Sequence, residues 1–231
     1  MIYLYCLLRA VREPPPHLAG IDGASVRAVS LGDLGAWVSD IAASTVAPTA
    51  ERAASHDRVV RAALEGETPL PVRFGQIVAD DAALVHVAQE RHDRFLAALE
   101  QVAGTVEMTV RLLVPGGARE RGWNRSAATE GKTGREYLQQ LAAAQREERN
   151  LLAEKEIARD RVRSAVRGLV RAESFNAMAG SSLATLSHLV LRENIDKYRG
   201  ALLVLRNEEP TLAIMVSGPW APYSFAEGVA T

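Results

Sequence analysis

The sequence lacks the features that would tie this chain to an oxidising compartment, a membrane or a nucleic acid. It has one cysteine, Cys6, so it cannot form an intrachain disulfide or a cysteine-cluster metal site, and we expect a reducing compartment. No apolar run in the sequence approaches the roughly 18 residues needed to cross a bilayer. The formal net charge is −1, which provides no overall positive field to hold a phosphate backbone or an anionic lipid surface.

The first ten residues are apolar but do not form a signal peptide. No basic stretch precedes them, no small-residue cleavage site follows, and their Tyr-rich alternation favours a strand. We therefore expect a cytoplasmic protein that binds neither nucleic acid nor a lipid membrane.

The motif Gly131-Lys132-Thr133 is the part of the sequence that most resembles a nucleotide-binding motif. A phosphate-binding loop needs a glycine five positions before Gly131 and a buried strand before that, whereas this chain has Ser126 in a polar loop. Thr133 instead forms a capping box with Glu136, in which each side chain satisfies one backbone donor at a helix start. The sequence therefore predicts no nucleotide binding.

Other patterns typical of catalysis or metal binding are also missing. No two of the five histidines have the i, i+4 spacing of a helical zinc site. Residues 180–182, Gly-Ser-Ser, lack the flanking glycines of a nucleophile elbow. The acid pairs at 80–81 and 147–148 lie where a helix start or a solvated helix face favours acids. We expect a protein that is not an enzyme and that holds no cofactor or metal.

The length and composition of the sequence are those of a globular protein with two domains. It has 231 residues, of which 48% are hydrophobic and 24% charged, enough for a core in each half. We predict an α+β fold with an N-terminal domain at 1–104 and a C-terminal domain at 105–231. Residues 115–131 are rich in Gly and Arg without a period, which predicts a mobile loop.

Apolar periodicity predicts the secondary structure of both halves. In the first half, strands are predicted at Ile2–Leu8, 26–31 and 34–39, helices at 49–64 and 81–102, and a β run at 70–78. The second and third strands form a hairpin around Gly32-Asp33. In the second half, strands are predicted at 106–114, 183–191 and 211–216, with helices at 133–172 and 193–206.

The helix predicted at 133–172 is unusually long. No breaker appears before Gly168, and at 1.5 Å per residue the segment would extend about 60 Å, beyond the size of a small domain. Its middle, residues 145–150, is almost wholly polar. A break near Asn150 and a solvated centre between two packed ends fit equally well.

Residues 70–75, Leu-Pro-Val-Arg-Phe-Gly, are not typical of a simple strand. Prolines confine a β run to a sheet edge or a strand start, which leaves Arg73 and Phe74 beside a flexible glycine. An edge strand with a bulge and a partner-binding site fit this pattern about equally.

The C-terminal octapeptide, residues 218–225, reads Gly-Pro-Trp-Ala-Pro-Tyr-Ser-Phe and has no period. We expect no regular structure, so its aromatic side chains either cover a core or form a rigid contact surface. For Trp220 a clamp on the C-terminal sheet is slightly favoured, and Tyr223 and Phe225 are assigned to a contact surface.

These two segments resemble the two signatures of the gas vesicle protein F/L family, and we refer to them as the signature segments. Residues 2–5, 33–36 and 56–60 fit the same pattern in the same order, so the resemblance covers nearly the whole chain. Ala221 stands where the family usually has a proline, which loosens the tail slightly, and Gln76 stands where a threonine is common.

The resemblance implies an α+β protein of two domains, the C-terminal one modified ferredoxin-like with a long helix. It implies a non-catalytic accessory protein that is needed to assemble gas vesicles, is associated with the vesicle, and contacts the small hydrophobic shell protein and other accessory proteins. The sequence does not separate the F branch from the L branch. The candidate partner-binding residues are Arg73, Phe74, Trp220, Tyr223 and Phe225.

Two other functions remain open from the sequence. The first is an enzyme that acts on a small molecule with a ferredoxin-like domain, which a deep pocket with convergent polar groups would support. The second is a scaffold whose long helix pairs with another helix. Regular heptads through 145–155 would favour the scaffold, and the sequence does not have them.

Overall fold

The structure is a computed structural model that describes residues 1–114 and 134–226. The predicted mobile loop at 115–131 and the capping residue Thr133 lie outside these ranges. The described strands are β1 (Ile2–Leu8), β2 (Val26–Leu31), β3 (Leu34–Asp40), β4 (Leu70–Pro71), β5 (Ile77–Val78), β6 (Thr105–Leu113), β7 (Val170–Asn176), β8 (Leu183–Leu191) and β9 (Ala213–Trp220). The described α-helices are α1 (Ala50–Gly66), α2 (Asp81–Glu90), α3 (His92–Val102), α4 (Gly134–Ala165) and α5 (Ile195–Glu208).

The first sheet has the strand order β2-β3-β1-β4, and β5 also pairs with β1. The predicted hairpin is confirmed, because β2 and β3 pair antiparallel from Val26↔Ser39 to Leu31↔Leu34. The predicted β run at 70–78 forms only at its two ends, as β4 and β5. Both ends pair with β1 at the edge of the sheet, which confirms the edge-strand interpretation.

Strand β1 is buried on both faces, and a bulge changes which residues face which side. The pairing with β3 shifts register between Leu4 and Cys6. Ile2, Leu4 and Leu7 belong to one core cluster, whereas Tyr3, Tyr5, Cys6 and Leu8 belong to the other. The extra residue of a bulge reverses the alternation of a strand, so the two tyrosines face the same core as Cys6 and Leu8.

Helices cover the two faces of this sheet. The α1 residues Val59, Val60 and Ala63 pack in the core that contains the two tyrosines. Residues of α2 and α3 pack in the other core. The single helix predicted at 81–102 is wrong, because Arg91 has non-helical backbone angles (φ −118°, ψ 15°) and separates α2 from α3.

The second sheet has the strand order β7-β8-β6-β9. Its elements follow one another along the chain as β6, α4, β7, β8, α5 and β9. The predicted helix end near residue 172 is wrong: α4 ends at Ala165, and Gly168 with φ +78° turns the chain into β7, which was not predicted.

Helix α4 runs for 32 residues without a break, about 48 Å. Among its residues from 138 onward, the buried side chains begin at Leu151 and continue with Lys155, Ala158 and Val162, whose spacing of four and three residues places them on one face. Residues 138–150 are exposed. A break near Asn150 is therefore wrong. A solvated centre between two packed ends is correct only in part, because Leu138 and Leu141 before the polar stretch are also exposed and only the second half of the helix is packed.

The described residues form two compact units. The first contains 1–108, 189–192 and 218–226, and the second contains 109–114, 134–188 and 193–217. The octapeptide therefore belongs with the first unit. Its predicted lack of regular structure is wrong in part, because 218–220 end β9 and Tyr223–Phe225 form a 3-10 turn. The domain boundary at residue 104 stays a prediction.

Candidate functional site

Helix α1 places a histidine inside the first unit. The helix begins because the Thr49 hydroxyl accepts a hydrogen bond from the Arg52 backbone N–H (3.3 Å), which satisfies one free donor at the helix start. His56 lies on the same face as the core residues Val59, Val60 and Ala63 and is 4% exposed. The imidazole is thus directed into the core beneath β1.

A chain of hydrogen bonds joins His56 to β1 and to the segment 70–75. The Nε2 atom lies 3.1 Å from the carbonyl oxygen of Val72, which only accepts, so Nε2 carries the proton. Nδ1 therefore accepts from the Tyr3 hydroxyl at 2.9 Å. The same hydroxyl accepts from the Gly75 N–H at 3.0 Å. The loop between β4 and β5 is thereby fixed at both ends, at Val72 and at Gly75.

Aromatic rings complete this arrangement. The Phe74 ring lies 6.0 Å from that of Tyr3 and 5.9 Å from that of His56, both with edge-to-face geometry. The Tyr223 ring reaches the same histidine from the octapeptide, at 6.4 Å. We call the group Tyr3, Tyr5, His56, Phe74 and Tyr223 the His56 cluster.

Two further contacts fix the octapeptide in the first unit. Glu107 of β6 is 5% exposed, and its carboxylate accepts from the Ser224 hydroxyl (2.7 Å) and the Ser224 N–H (2.9 Å). The Arg61 guanidinium lies 4.4 Å from the Trp220 ring centre, within the range of a cation–π contact. Gly218 permits the close approach, because at its φ of +115° a Cβ atom would lie 2.8 Å from the Glu107 carbonyl oxygen.

The titratable groups of the cluster are neutral at pH 7. Burial lowers the pKa of His56 to about 4, although the hydrogen bond to Val72 opposes this, and burial raises the pKa of Tyr3 to about 12. Burial also raises the pKa of Tyr223. Both ring nitrogens of His56 are hydrogen-bonded, so the arrangement holds backbone in place rather than providing a free base.

The described residues offer little to hold a metal. Within 1–114 and 134–226, no group of three or more His, Cys, Asp or Glu side chains is placed to hold a metal ion. Cys6 is fully buried, and burial raises the pKa of its thiol. No helix within those ranges is both long and apolar enough to cross a membrane.

A family model described as "Gas vesicle synthesis protein GvpL/GvpF" matches residues 1–227. This chain belongs to that family. The GvpL/GvpF relatives of Streptomyces sp. (strain CB03234) include gas vesicle protein L, 29% identical over 97% of this chain and 92% of the relative, and gas vesicle protein F, 30% identical over 97% and 99%. The chain is thus about equally similar to proteins of both names.

The fold agrees with solved GvpF structures. The crystal structure of GvpF from Anabaena sp. PCC7120 matches with a TM-score of 0.79 at 20% identity, over 98% of this chain and 95% of that one. GvpF from Microcystis aeruginosa matches with a TM-score of 0.76 at 16% identity, over 98% of each chain. The mixed helix and sheet arrangement with two sheets is therefore the fold of a GvpL/GvpF protein.

The structure brings together three of the five candidate residues in this GvpL/GvpF chain. Phe74, Trp220 and Tyr223 all lie against α1 or its histidine. Phe225 is half-buried in the same 3-10 turn as Tyr223, and Arg73 is exposed at the loop between β4 and β5. The two signature segments are thus neighbours in space although they are far apart in sequence.

Sequence reasoning missed the contact by which Glu107 holds the octapeptide. The alternation along β6 predicts that Glu107 faces solvent, whereas it is buried and holds the octapeptide. His56 and Tyr3 both lie in segments that carry the family resemblance. Their hydrogen bond could not be predicted from local sequence, because the two residues are 53 positions apart.

Replacing Tyr3 with phenylalanine is expected to lower the free energy of unfolding by about 2–4 kcal/mol, because it leaves His56 Nδ1 and the Gly75 N–H without partners. Urea unfolding of Tyr3→Phe, His56→Leu and the double variant measures the coupling. We expect the double variant to lose at least about 1 kcal/mol less than the sum of the single losses. Additive losses would show that the hydroxyl and the imidazole are not coupled.

Proposed function

We propose that this chain is a non-catalytic assembly factor of gas vesicles that acts in the cytoplasm at the vesicle. It binds the small hydrophobic shell protein, other gas vesicle accessory proteins, or both. Membership of the GvpL/GvpF family supports the process. One observation supports the location of the binding site. Both signature segments contact α1, so they can form one candidate surface of the first unit.

The physical need for such a factor follows from the shell subunit. A small protein with an extended apolar face aggregates unless another molecule covers that face. An accessory protein that holds the subunit until it joins the growing wall removes this hazard. Such a role requires a binding surface and no chemical step.

The geometry divides the candidate residues into two groups. Phe74 and Tyr223 pack inward against His56 and the core of the first unit, and they give the surface its shape. Arg73 is exposed, and we assign it, together with the half-buried Trp220 and Phe225, to the group that contacts a partner. Aromatic and arginine side chains held by a rigid scaffold are typical of the residues that dominate binding energy.

We also propose that the chain has two domains and that the elements from β6 to β9 form the second of them, a modified ferredoxin-like domain. The element order β6-α4-β7-β8-α5-β9 supports this, since it repeats the βαββαβ pattern of that fold. The strand order β7-β8-β6-β9 is consistent with it. The long helix α4 is the modification.

Replacing Arg73 with glutamate tests the proposed surface. We expect Arg73→Glu to reduce co-purification of the shell protein or of the accessory proteins at least about tenfold, and to fail to restore buoyancy in a deletion strain. The melting temperature should change by no more than about 2 °C, because substitutions of exposed residues away from special features alter stability little.

The matched control is Arg94→Glu, which makes the same charge change at an exposed arginine on α3 of the same unit. It is expected to retain both binding and buoyancy. If Arg73→Glu supports normal buoyancy, or if Arg94→Glu fails as badly, the loop between β4 and β5 is not the partner-binding surface.

A further inference from the structure

A second surface lies in the other unit, in a groove between α4 and α5. Its volume is about 630 Å³. Ala165, Ala201 and the buried Leu205 line it, and the two alanines contribute only small side chains. It contains no residue of either signature segment, so it is distinct from the surface proposed above.

The walls of this groove expose apolar side chains to solvent. Ile157 on α4 and Val204 on α5 both line it, and each is 54% exposed. A second groove of about 260 Å³ shares Ile157 and extends the surface to Leu212. Ile157 and Val204 therefore provide exposed aliphatic surface within the groove, one from each of the two helices that line it.

The rim of the groove is acidic. Asp160, Glu208 and Glu209 line the main groove, and Glu154 lines the continuation. Within 1–114 and 134–226, Arg161 is the one basic residue lining either groove, and it is paired with Glu209. Asp160 also lies 3.7 Å from Arg163, but both side chains are largely exposed, and such a pair contributes little. The described residues that line the two grooves therefore carry four acidic side chains and one basic side chain.

We propose that this groove binds an amphipathic helix of another protein, with an apolar stripe that enters the groove and basic side chains that meet the acidic rim. The α4 wall from Glu154 to Ala165 is about 16 Å long, which matches three turns of a bound helix. Binding through residues at i, i+3, i+4 and i+7 is the mode that a groove between two helices provides. The acidic rim selects a basic helix over an acidic one.

Two synthetic peptides test this proposal against the full-length protein. Each is a helix of roughly 18 residues with the same leucine stripe, flanked by lysines in one peptide and by glutamates in the other. Fluorescence anisotropy is expected to show saturable binding of the lysine peptide that weakens with salt, and at least about tenfold weaker binding of the glutamate peptide.

Substitutions in the groove provide the matched controls. Val204→Lys is expected to weaken binding of the lysine peptide at least about tenfold, whereas Leu203→Lys, the same charge change at a neighbouring residue that is 48% exposed and does not line the groove, changes it less than about twofold. If Val204→Lys lowers the melting temperature, Ile157→Lys replaces it on the opposite wall.

Three results would overturn the proposal. The first is equal binding, or no saturable binding, of the two peptides. The second is an equal loss of binding in Val204→Lys and Leu203→Lys. The third is concentration-dependent dimerisation in sedimentation that Val204→Lys abolishes, which would assign the groove to a second copy of this chain.

Discussion

Replacing Tyr223 with alanine is expected to lower the free energy of unfolding by about 3 kcal/mol, within the range for removal of a large core side chain that is not fully buried. The Tyr223 ring packs in the core of the first unit and reaches His56. Such a loss is a large fraction of the stability of an ordinary domain. Urea unfolding followed by the fluorescence of the buried Trp37 measures it.

The matched variant is Tyr223→Phe, which keeps the ring and removes the hydroxyl. We expect it to lose less than about 1 kcal/mol, because the packing of the ring is retained. Equal losses in the two variants would mean that the hydroxyl, and not ring packing, holds the octapeptide. The sequence assigned Tyr223 and Phe225 together to a contact surface, so a Tyr223→Ala, Phe225→Ala double variant would combine instability with lost binding. Phe225→Ala alone is the informative binding variant.

Acidification from pH 6.5 to about 4 is expected to destabilise the first unit by about 3 kcal/mol through His56 alone. Burial lowers the pKa of this histidine to about 4 in the folded protein, while the unfolded chain titrates near 6.5. The unfolded state therefore binds the proton first as pH falls. The stabilisation is complete above pH 6.5 and is lost through the window down to pH 4.

The measurement compares unfolding free energies at several pH values for the native chain and for His56→Gln, which removes the titrating group. We expect the native chain to show the steeper decline. His86→Gln, at an exposed histidine of α2, serves as the control and should decline like the native chain. Equal declines in the native chain and in His56→Gln would contradict the assignment.

Other groups titrate in the same window and remain present in all three proteins. Burial lowers the pKa of His188, which adds to the loss on acidification, whereas the carboxylates of Asp33 and Asp93 raise the pKa of the exposed His92, which opposes it. The difference between the native chain and His56→Gln removes these shared contributions.

The elements that the sequence predicted well are those whose burial follows from local pattern. The apolar run at Ile2–Leu8 and the turn at Gly32 predicted β1 and the first hairpin, and both are confirmed. Strand β7 was missed because Val170–Asn176 follows a helical pattern, and its strand conformation depends on pairing within the second sheet. The non-helical backbone angles of Arg91 separate α2 from α3. Residues 81–102 contain no glycine or proline that would have indicated a helix break.

The candidate site was predicted as two segments but not as one surface. Local sequence identified residues 70–75 and 218–225 as unusual. It did not indicate that Phe74 and Tyr223 turn inward, because their direction is set by His56, which belongs to neither segment. Glu107 was assigned to solvent for the same reason, since its partner Ser224 is distant in the chain.

The position of the octapeptide within the first unit also determines when that unit is complete during synthesis. The ribosome makes β1, α1 and the loop at 70–78 first, whereas residues 218–226, which close the same core, emerge only after most of the second unit. At about 5–20 residues per second, the nascent chain exposes the rings of Tyr3, His56 and Phe74 for on the order of 10 s or more before Tyr223 covers them. Completion of the first unit thus requires translation through residue 226, and a ribosome that stalls within the second unit leaves an open aromatic core.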